Sequence, residues 1–329
     1  MFKKLLVPLD RSPLAEQAIG QAVAIARASH AAVDVVLVNH PVPYSGFDGA
    51  PLNEALWKVE HKYIETITDE ISSGGVVPAT HSIMSGDVVA MICQRAHDVD
   101  ADLVVMTSHG RTGLSRAWLG SVADGVLRRS AIPVLMLHPV ETTVDRRAAH
   151  HLFKRILVPL DGSALSMEIL ASAAALARCS NARILLLRVV QPVPLIALDV
   201  DMAMMYPPLT LDEVLTARVS DEAGKYLADV KRTLAKEGIT EVETHVMLGG
   251  RVPQVIIDFA RGHDVSAIAM STRGRGASRL FVGSVADKVL RASGLPILLR
   301  HPIGVSEEPS LLDAESVAEQ LPALAHASA

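Results

Sequence analysis

Residues 107–130 read TSHGRTGLSRAWLGSVADGVLRRS, and residues 271–293 read STRGRGASRLFVGSVADKVLRAS. Each copy follows an apolar run and leads into a helix-like pattern. The pair is the clearest sign that the chain is a duplication. KKLLVPLDRSPL (3–14) matches KRILVPLDGSAL (154–165) at an offset of 151, and VVLVNHPVP (35–43) matches LLRVVQPVP (186–194) at the same offset. MTSHGR (106–111) then matches MSTRGR (270–275) at 164, because the second half carries a longer insertion after its second strand. LGSVADGVLRRSAIPVLMLHP (119–139) matches VGSVADKVLRASGLPILLRHP (282–302) at 163. A period near 150 residues exceeds that of solenoid repeats, so each unit is expected to be a whole domain.

The expected division is a first domain over 1–140, a linker over 141–152 around ETTVDRRAAHH, a second domain over 153–303, and a tail over 304–329. One short helix is expected in that tail near Leu311–Gln320.

Within the first unit, short β-branched runs alternate with helical patterns. The reading gives strands at 3–9, 33–39, 77–83, 102–107 and 132–138, and helices at 13–28, about 53–72, 87–97 and 121–130. Leu14, Ala18, Ala22, Ile25 and Ala26 recur at three- and four-residue steps, which places them on one helix face. LLVPL, DLVVM and IPVLML are apolar on both faces, as strands are when helices cover the sheet on either side. The fold class is therefore α/β, with two tandem, doubly wound, Rossmann-like parallel-sheet domains of strand order 3-2-1-4-5. In such sheets ligands lie beyond the carboxyl ends of the strands, where the strand order reverses.

Two turns in each unit reach that place. Asp10 and Asp161 follow the first strand, and the quoted glycine-spaced stretch follows the fourth. Gly110 and Gly274 let backbone approach a ligand closely. Gly120-Ser121 and Gly283-Ser284 open helices, where unpaired amides, the helix dipole and the serine hydroxyl favour an anion such as a phosphate chain. The aspartate across the crevice suits a ribose hydroxyl, an adenine amino group or a bridging magnesium ion. An ordinary helix cap and an ordinary turn account for the same residues singly.

VPLD-x-S at each unit's start, GSVAD at each fourth helix, and P-V/I-L with HP at each unit's end resemble the universal stress protein family in its tandem form. The resemblance implies ATP held in a G-x2-G-x9-G-[S/T] loop. By position, the first unit offers Pro8, Leu9, Asp10 and Val38 on the adenine and ribose side, and Met106, Thr107, Gly110, Gly120, Ser121 and Val122 on the phosphate side. The second offers Pro159, Leu160, Asp161, Val189, Met270, Ser271, Gly274, Gly283, Ser284 and Val285. Asp10 and Asp161 are the magnesium candidates. Thr107 and Ser271 stand where the motif has its first glycine, and the second loop is one residue shorter, so the first site is the stronger. Val38 and Val189 are read equally as strand core.

Arg111, Arg116, Arg275 and Arg279 either clamp phosphates or are solvated, and His109 is answered by Arg273 in the second unit. The apolar stretch 195–211 either covers the second site, forms an interface or packs in the core. No Walker A pattern, nucleophile with a base, or metal-ligand spacing of His and Cys is present, so an enzyme reading reduces to a slow ATP hydrolase. An interaction module with decayed sites is the other alternative.

Cys93 and Cys179 are expected as buried free thiols of a reducing compartment. A net charge of −5 with interspersed signs and only 3% aromatic residues argue against nucleic acid as a partner. The apolar runs are too short to span a membrane, and MFKKLLVPLD lacks the long apolar region of a secretory signal, so the expected location is the cytoplasm. The last strands are too apolar to remain as open edges. In the family they pair antiparallel between domains, which implies an internal pseudo-dimer here and leaves room for a homodimer of the whole chain.

Overall fold

The structure is a computed structural model that describes residues 1–39, 50–73, 77–108, 119–138, 152–192, 208–272 and 283–302. In the first unit the chain runs β1 (Lys4–Leu9), α1 (Pro13–Ser29), β2 (Ala32–Asn39), α2 (Ala50–Ser72), β3 (Ala79–Ser85), α3 (Val88–Asp98), β4 (Leu103–Thr107), α4 (Ser121–Arg129) and β5 (Val134–Leu137). The second unit repeats the series as β6 (Arg155–Pro159), α5 (Ala164–Met167), α6 (Leu170–Ser180), β7 (Arg183–Val190), α7 (Pro208–Lys236), β8 (Val242–Leu248), α8 (Val252–Gly262), β9 (Ala267–Ser271), α9 (Ser284–Ala292) and β10 (Ile297–Arg300).

Helix α1 starts where the local chemistry requires. The Ser12 hydroxyl caps the Ala15 amide, Pro13 sits where no N–H is needed, and His30 ends the helix in the left-handed region. Ala18, Ala22, Ile25 and Ala26 are buried on one face as the spacing implies. Leu14 is only half-buried, and Ala15 and Ile19 take its place in the stripe. The third strand lies two residues later than the apolar run suggests. It begins after Pro78, which has no N–H for a ladder, and ends before Gly86, whose φ is 144°.

The described strands form one ten-stranded sheet in the order β3-β2-β1-β4-β5-β10-β9-β6-β7-β8. Each half thus has the order 3-2-1-4-5, and all neighbours within a half run parallel. The seam is the antiparallel pair β5–β10, with Ile297, Leu298 and Leu299 opposite Met136, Leu135 and Val134. Leu298 stands 163 positions after Leu135, which is the repeat offset in this region, so each of these leucines faces its own counterpart. That register is what a two-fold axis through the seam demands.

Helices α1, α2, α6 and α7 cover one face, over a core that includes Leu5, Val35, Leu135, Leu186 and Leu298. Helices α3, α4, α8 and α9 cover the other, over Leu6, Val104, Met136, Leu187 and Ile297. Both cores run across the seam without a break.

Cys179 is buried in α6 and Cys93 is only half-buried in α3, so the expectation of two buried thiols holds for Cys179 alone; both are free. Burial pushes the Cys93 thiol above its ordinary range, against a smaller downward pull from Arg129, and burial does the same to Cys179. Because the thiolate is the reactive form, Cys93 is expected to alkylate with iodoacetamide at pH 8 more slowly than free cysteine, and faster as pH rises. Labelling as fast as free cysteine would contradict this.

Candidate functional site

The register carries the first and fourth turns to one level. Leu5 and Leu6 pair with Leu103 and Val104, so Leu9 ends β1 beside Thr107 at the end of β4. Ile156 and Leu157 pair with Ala267 and Ile268, which brings Leu160 level with Ser271. Asp10 and Asp161 therefore leave the sheet next to the fourth-strand turns. In the second unit the end of β9 touches the helix that follows the aspartate turn, since the Ser271 hydroxyl donates to the Leu165 carbonyl over 2.7 Å.

Each aspartate first organises its own turn. The Ser12 amide donates to Asp10 Oδ1 at 2.9 Å, and the Ser163 amide and hydroxyl donate to Asp161 Oδ1 at 2.9 and 2.6 Å. These are Asx turns, and they fix the carboxylates against the sheet ends. The residue between aspartate and serine must be left-handed. It is Gly162 (φ 81°) in the second unit but Arg11 (φ 66°) in the first, where a side chain costs about 1 kcal/mol.

Across the crevice, Ser108 N–H donates to Leu137 at 2.8 Å and Gly120 N–H donates back to Ser108 at 2.9 Å. Thr272 and Gly283 repeat the arrangement at 2.9 Å to Arg300 and 2.6 Å to Thr272. The start of α4 or α9 is thereby pinned to the end of the fourth strand. Ser121 and Ser284 open their helices as expected. Gly120 and Gly283 are the cap residues, with no side chain to cap the first amides, and Ser121 and Ser284 are exposed first-turn residues. A helix start without a side-chain cap leaves its amides for another acceptor.

The other expected residues divide by what they present. Leu9 and Leu160 are core side chains on one face of the sheet, and Met106 and Met270 on the other, so only their backbone is available to a ligand. Pro8 is buried, Pro159 half-buried, and Val38, Val189, Val122 and Val285 are half-buried against the second core. The strand-core reading of Val38 and Val189 is thus part of their place. Thr107 is buried at the end of β4. Gly110, Gly274, His109, Arg273, the four loop arginines, the tail helix and 195–207 lie outside the described residues, as do the side chains of 208–211. Among the described residues no cluster of three or more His, Cys, Asp or Glu suits a metal ion, so magnesium here would rest on a single carboxylate.

The second crevice differs in its first helix. Helix α1 is continuous, whereas its counterpart stops after Met167 and resumes at Leu170. The Leu165 carbonyl accepts from Ser271 and, at 3.4 Å, from the Glu168 amide three residues on. A hydroxyl bonded to a helix carbonyl interrupts the regular ladder at that turn.

Two features escaped the sequence reading. On the first rim, Arg11 Nη1 lies 3.7 Å from Glu60 Oε1, and the Asn39 amide donates to Glu60 Oε2 at 2.9 Å. On the second, Arg188 is buried in β7 and donates to the Leu160 carbonyl at 3.2 Å. The signal for Glu60 was present in the repeat: a carboxylate on the buried face of α2 where the second unit has Ala223.

A doubly wound sheet that sets an aspartate turn against an uncapped helix start, twice over and joined edge to edge, defines a tandem α/β protein with two equivalent crevices. The model of the universal stress protein family matches residues 1–138 and again 152–301, and the chain belongs to that family. Universal stress protein A homolog 1 of Coxiella burnetii is 31% identical over 137 residues, covering 41% of this chain and 94% of that protein. A universal stress protein of Methanocaldococcus jannaschii is 29% identical over 141 residues, covering 42% of this chain and 82% of its own length. The crystal structure of a universal stress protein from Archaeoglobus fulgidus aligns over 91% of this chain and 98% of its own with a TM-score of 0.66; at 20% identity the likeness is one of fold.

Proposed function

We propose that the chain binds ATP in the first unit's crevice, between the Asp10 turn and the start of α4, and that occupancy regulates its assembly or its partners. The observation that carries this reading is the level placement of the two turns on adjacent strands, with a helix start that has no side-chain cap facing an organised carboxylate. Amides of Ser121, Val122 and Ala123 would hold phosphate oxygens, backbone at Pro8 to Asp10 and at Val38 would border the nucleoside, and Gly110 would allow close approach. Magnesium, when bound, would neutralise phosphate charge. Asp10 would hold it together with phosphate oxygens and water, the usual arrangement for this ion. The proposed setting is the cytoplasm.

For the second unit, the interrupted first helix and a glycine loop one residue shorter favour a different reading. There the fold serves as an interaction module whose ligand site is reduced. Equilibrium dialysis of nucleotide-stripped chain against ATP and magnesium is the test. Saturable binding is expected, dominated by one equivalent per chain and weakened by Asp10→Ala. Absence of binding at millimolar ATP with the fold intact would remove the proposal, and two equal equivalents would remove the asymmetry.

A further inference from the structure

Resting on that nucleotide reading for its ligand, we propose that Glu60 is the positioning residue that makes the first crevice a different site from the second. Glu60 is 6% exposed, yet it sits on α2 above the carboxyl ends of β1 and β2. One of its oxygens faces Arg11, the left-handed residue directly after Asp10, and the other receives Asn39, the last residue of β2 directly after Val38. One buried carboxylate thus holds both segments that would border the nucleoside.

The second unit has dismantled this brace at every point. Asn39 pairs with Ser85 as the last register pair of β2–β3, and Val190 pairs with Leu248 as the last of β7–β8, so Val190 stands in the place of Asn39. Ile64, Ile67 and Ile71 of α2 correspond in burial to Leu227, Val230 and Leu234 of α7, 163 positions on, which puts Ala223 in the place of Glu60. Gly162 replaces Arg11. The second rim takes its guanidinium instead from Arg188 in β7, which holds the strand end at the Leu160 carbonyl. Three changes at three separated positions, all at contacting residues, remove one device together.

A buried carboxylate is retained against its desolvation cost only with partners, and Arg11 tolerates its left-handed backbone beside it. The Asn39 Oδ1 atom is buried with no hydrogen-bond partner among the described residues, so this rim also holds an acceptor beside the proposed nucleoside.

The test uses the full chain with Glu60→Ala, Glu60→Gln and Arg11→Gly, read by amide exchange and by ATP titration. Exchange of the turn at residues 10–16 is expected to accelerate about tenfold in Glu60→Ala, while 161–167 stays unchanged. Glu60→Gln, which keeps an acceptor for Asn39, should fall between. ATP affinity at the first site should drop about tenfold in Glu60→Ala, with partial recovery in Glu60→Gln. Arg11→Gly copies the residue of the second unit and relieves the backbone, so it should fold and still loosen the turn. Unchanged exchange at 10–16 in Glu60→Ala, or equal acceleration in both units, overturns the proposal. If wild-type chain binds no ATP, the nucleotide reading falls, and the exchange comparison alone decides the role of Glu60.

Discussion

Arg95→Leu is expected to lower the unfolding free energy by about 3–5 kcal/mol, whereas Asp34→Leu, at the other end of the same ion pair, should cost less than about 1.5 kcal/mol. Asp34 lies fully buried near the middle of β2, between Val33 and Val35. Arg95 of α3 reaches it with both arms of the guanidinium, Nε to Oδ1 at 2.9 Å and Nη2 to Oδ2 at 2.8 Å, and the Thr80 hydroxyl adds a third bond at 2.6 Å. Removing Arg95 strands a carboxylate in the core with one neutral donor. Removing Asp34 instead frees a side chain that is already 24% exposed and a hydroxyl on an exposed threonine, both of which can turn to water. The second unit has made that second change, since Leu185 occupies the place of Asp34 and is buried. Urea unfolding with unchanged slope and shifted midpoint would read the difference. Equal costs for the two variants would mean that the pair's value lies in its hydrogen bonds rather than in the location of the charge.

The same comparison explains which parts of the molecule the sequence discloses. The strand-helix alternation, the two aspartate turns and the glycine-led helix starts follow from features that are local and doubled: VPLD-x-S, the two-sided apolar strands, and GSVAD. Each depends on a few consecutive residues, so its meaning survives without a fold. The brace at Glu60 does not, because Arg11, Asn39 and Glu60 are far apart in the chain and converge only when α2 lies over the sheet. The helix break after Met167 is equally hidden, since the Ser271 hydroxyl that engages Leu165 arrives from 106 residues away. The helices behind Gly120 and Gly283 begin at Ser121 and Ser284 as the sequence implies, each glycine adopting the extended cap conformation with ψ 148°. Glu60 gives way to the buried Ala223, and Asp34 to the buried Leu185, so the two units are chemically distinct at equivalent buried positions.

Placing a charge at the seam should have the largest effect of any single change. Leu135→Asp and Leu298→Asp are each expected to cost more than about 4 kcal/mol, and the two costs should agree within about 1 kcal/mol. The magnitude follows from complete burial of both leucines, where a carboxylate loses its hydration. The equality follows from register. Leu135 pairs with Leu298 itself, whereas Val134 and Met136 pair crosswise with Leu299 and Ile297. At a residue lying on the pseudo-two-fold, either substitution inserts its charge into the same place from opposite sides. Leu298→Ala should cost about 2–5 kcal/mol by cavity formation and leave the seam paired. Beyond stability, the aspartates would separate two edge strands, Val134–Leu137 and Ile297–Arg300, that are wholly apolar but for Arg300. Edges of that composition seek other strands, so the destabilised variants should also self-associate as they open, and light scattering should rise before the bulk unfolding transition. A seam in some other register would give unequal costs, with the larger at whichever leucine faced the better-packed neighbour.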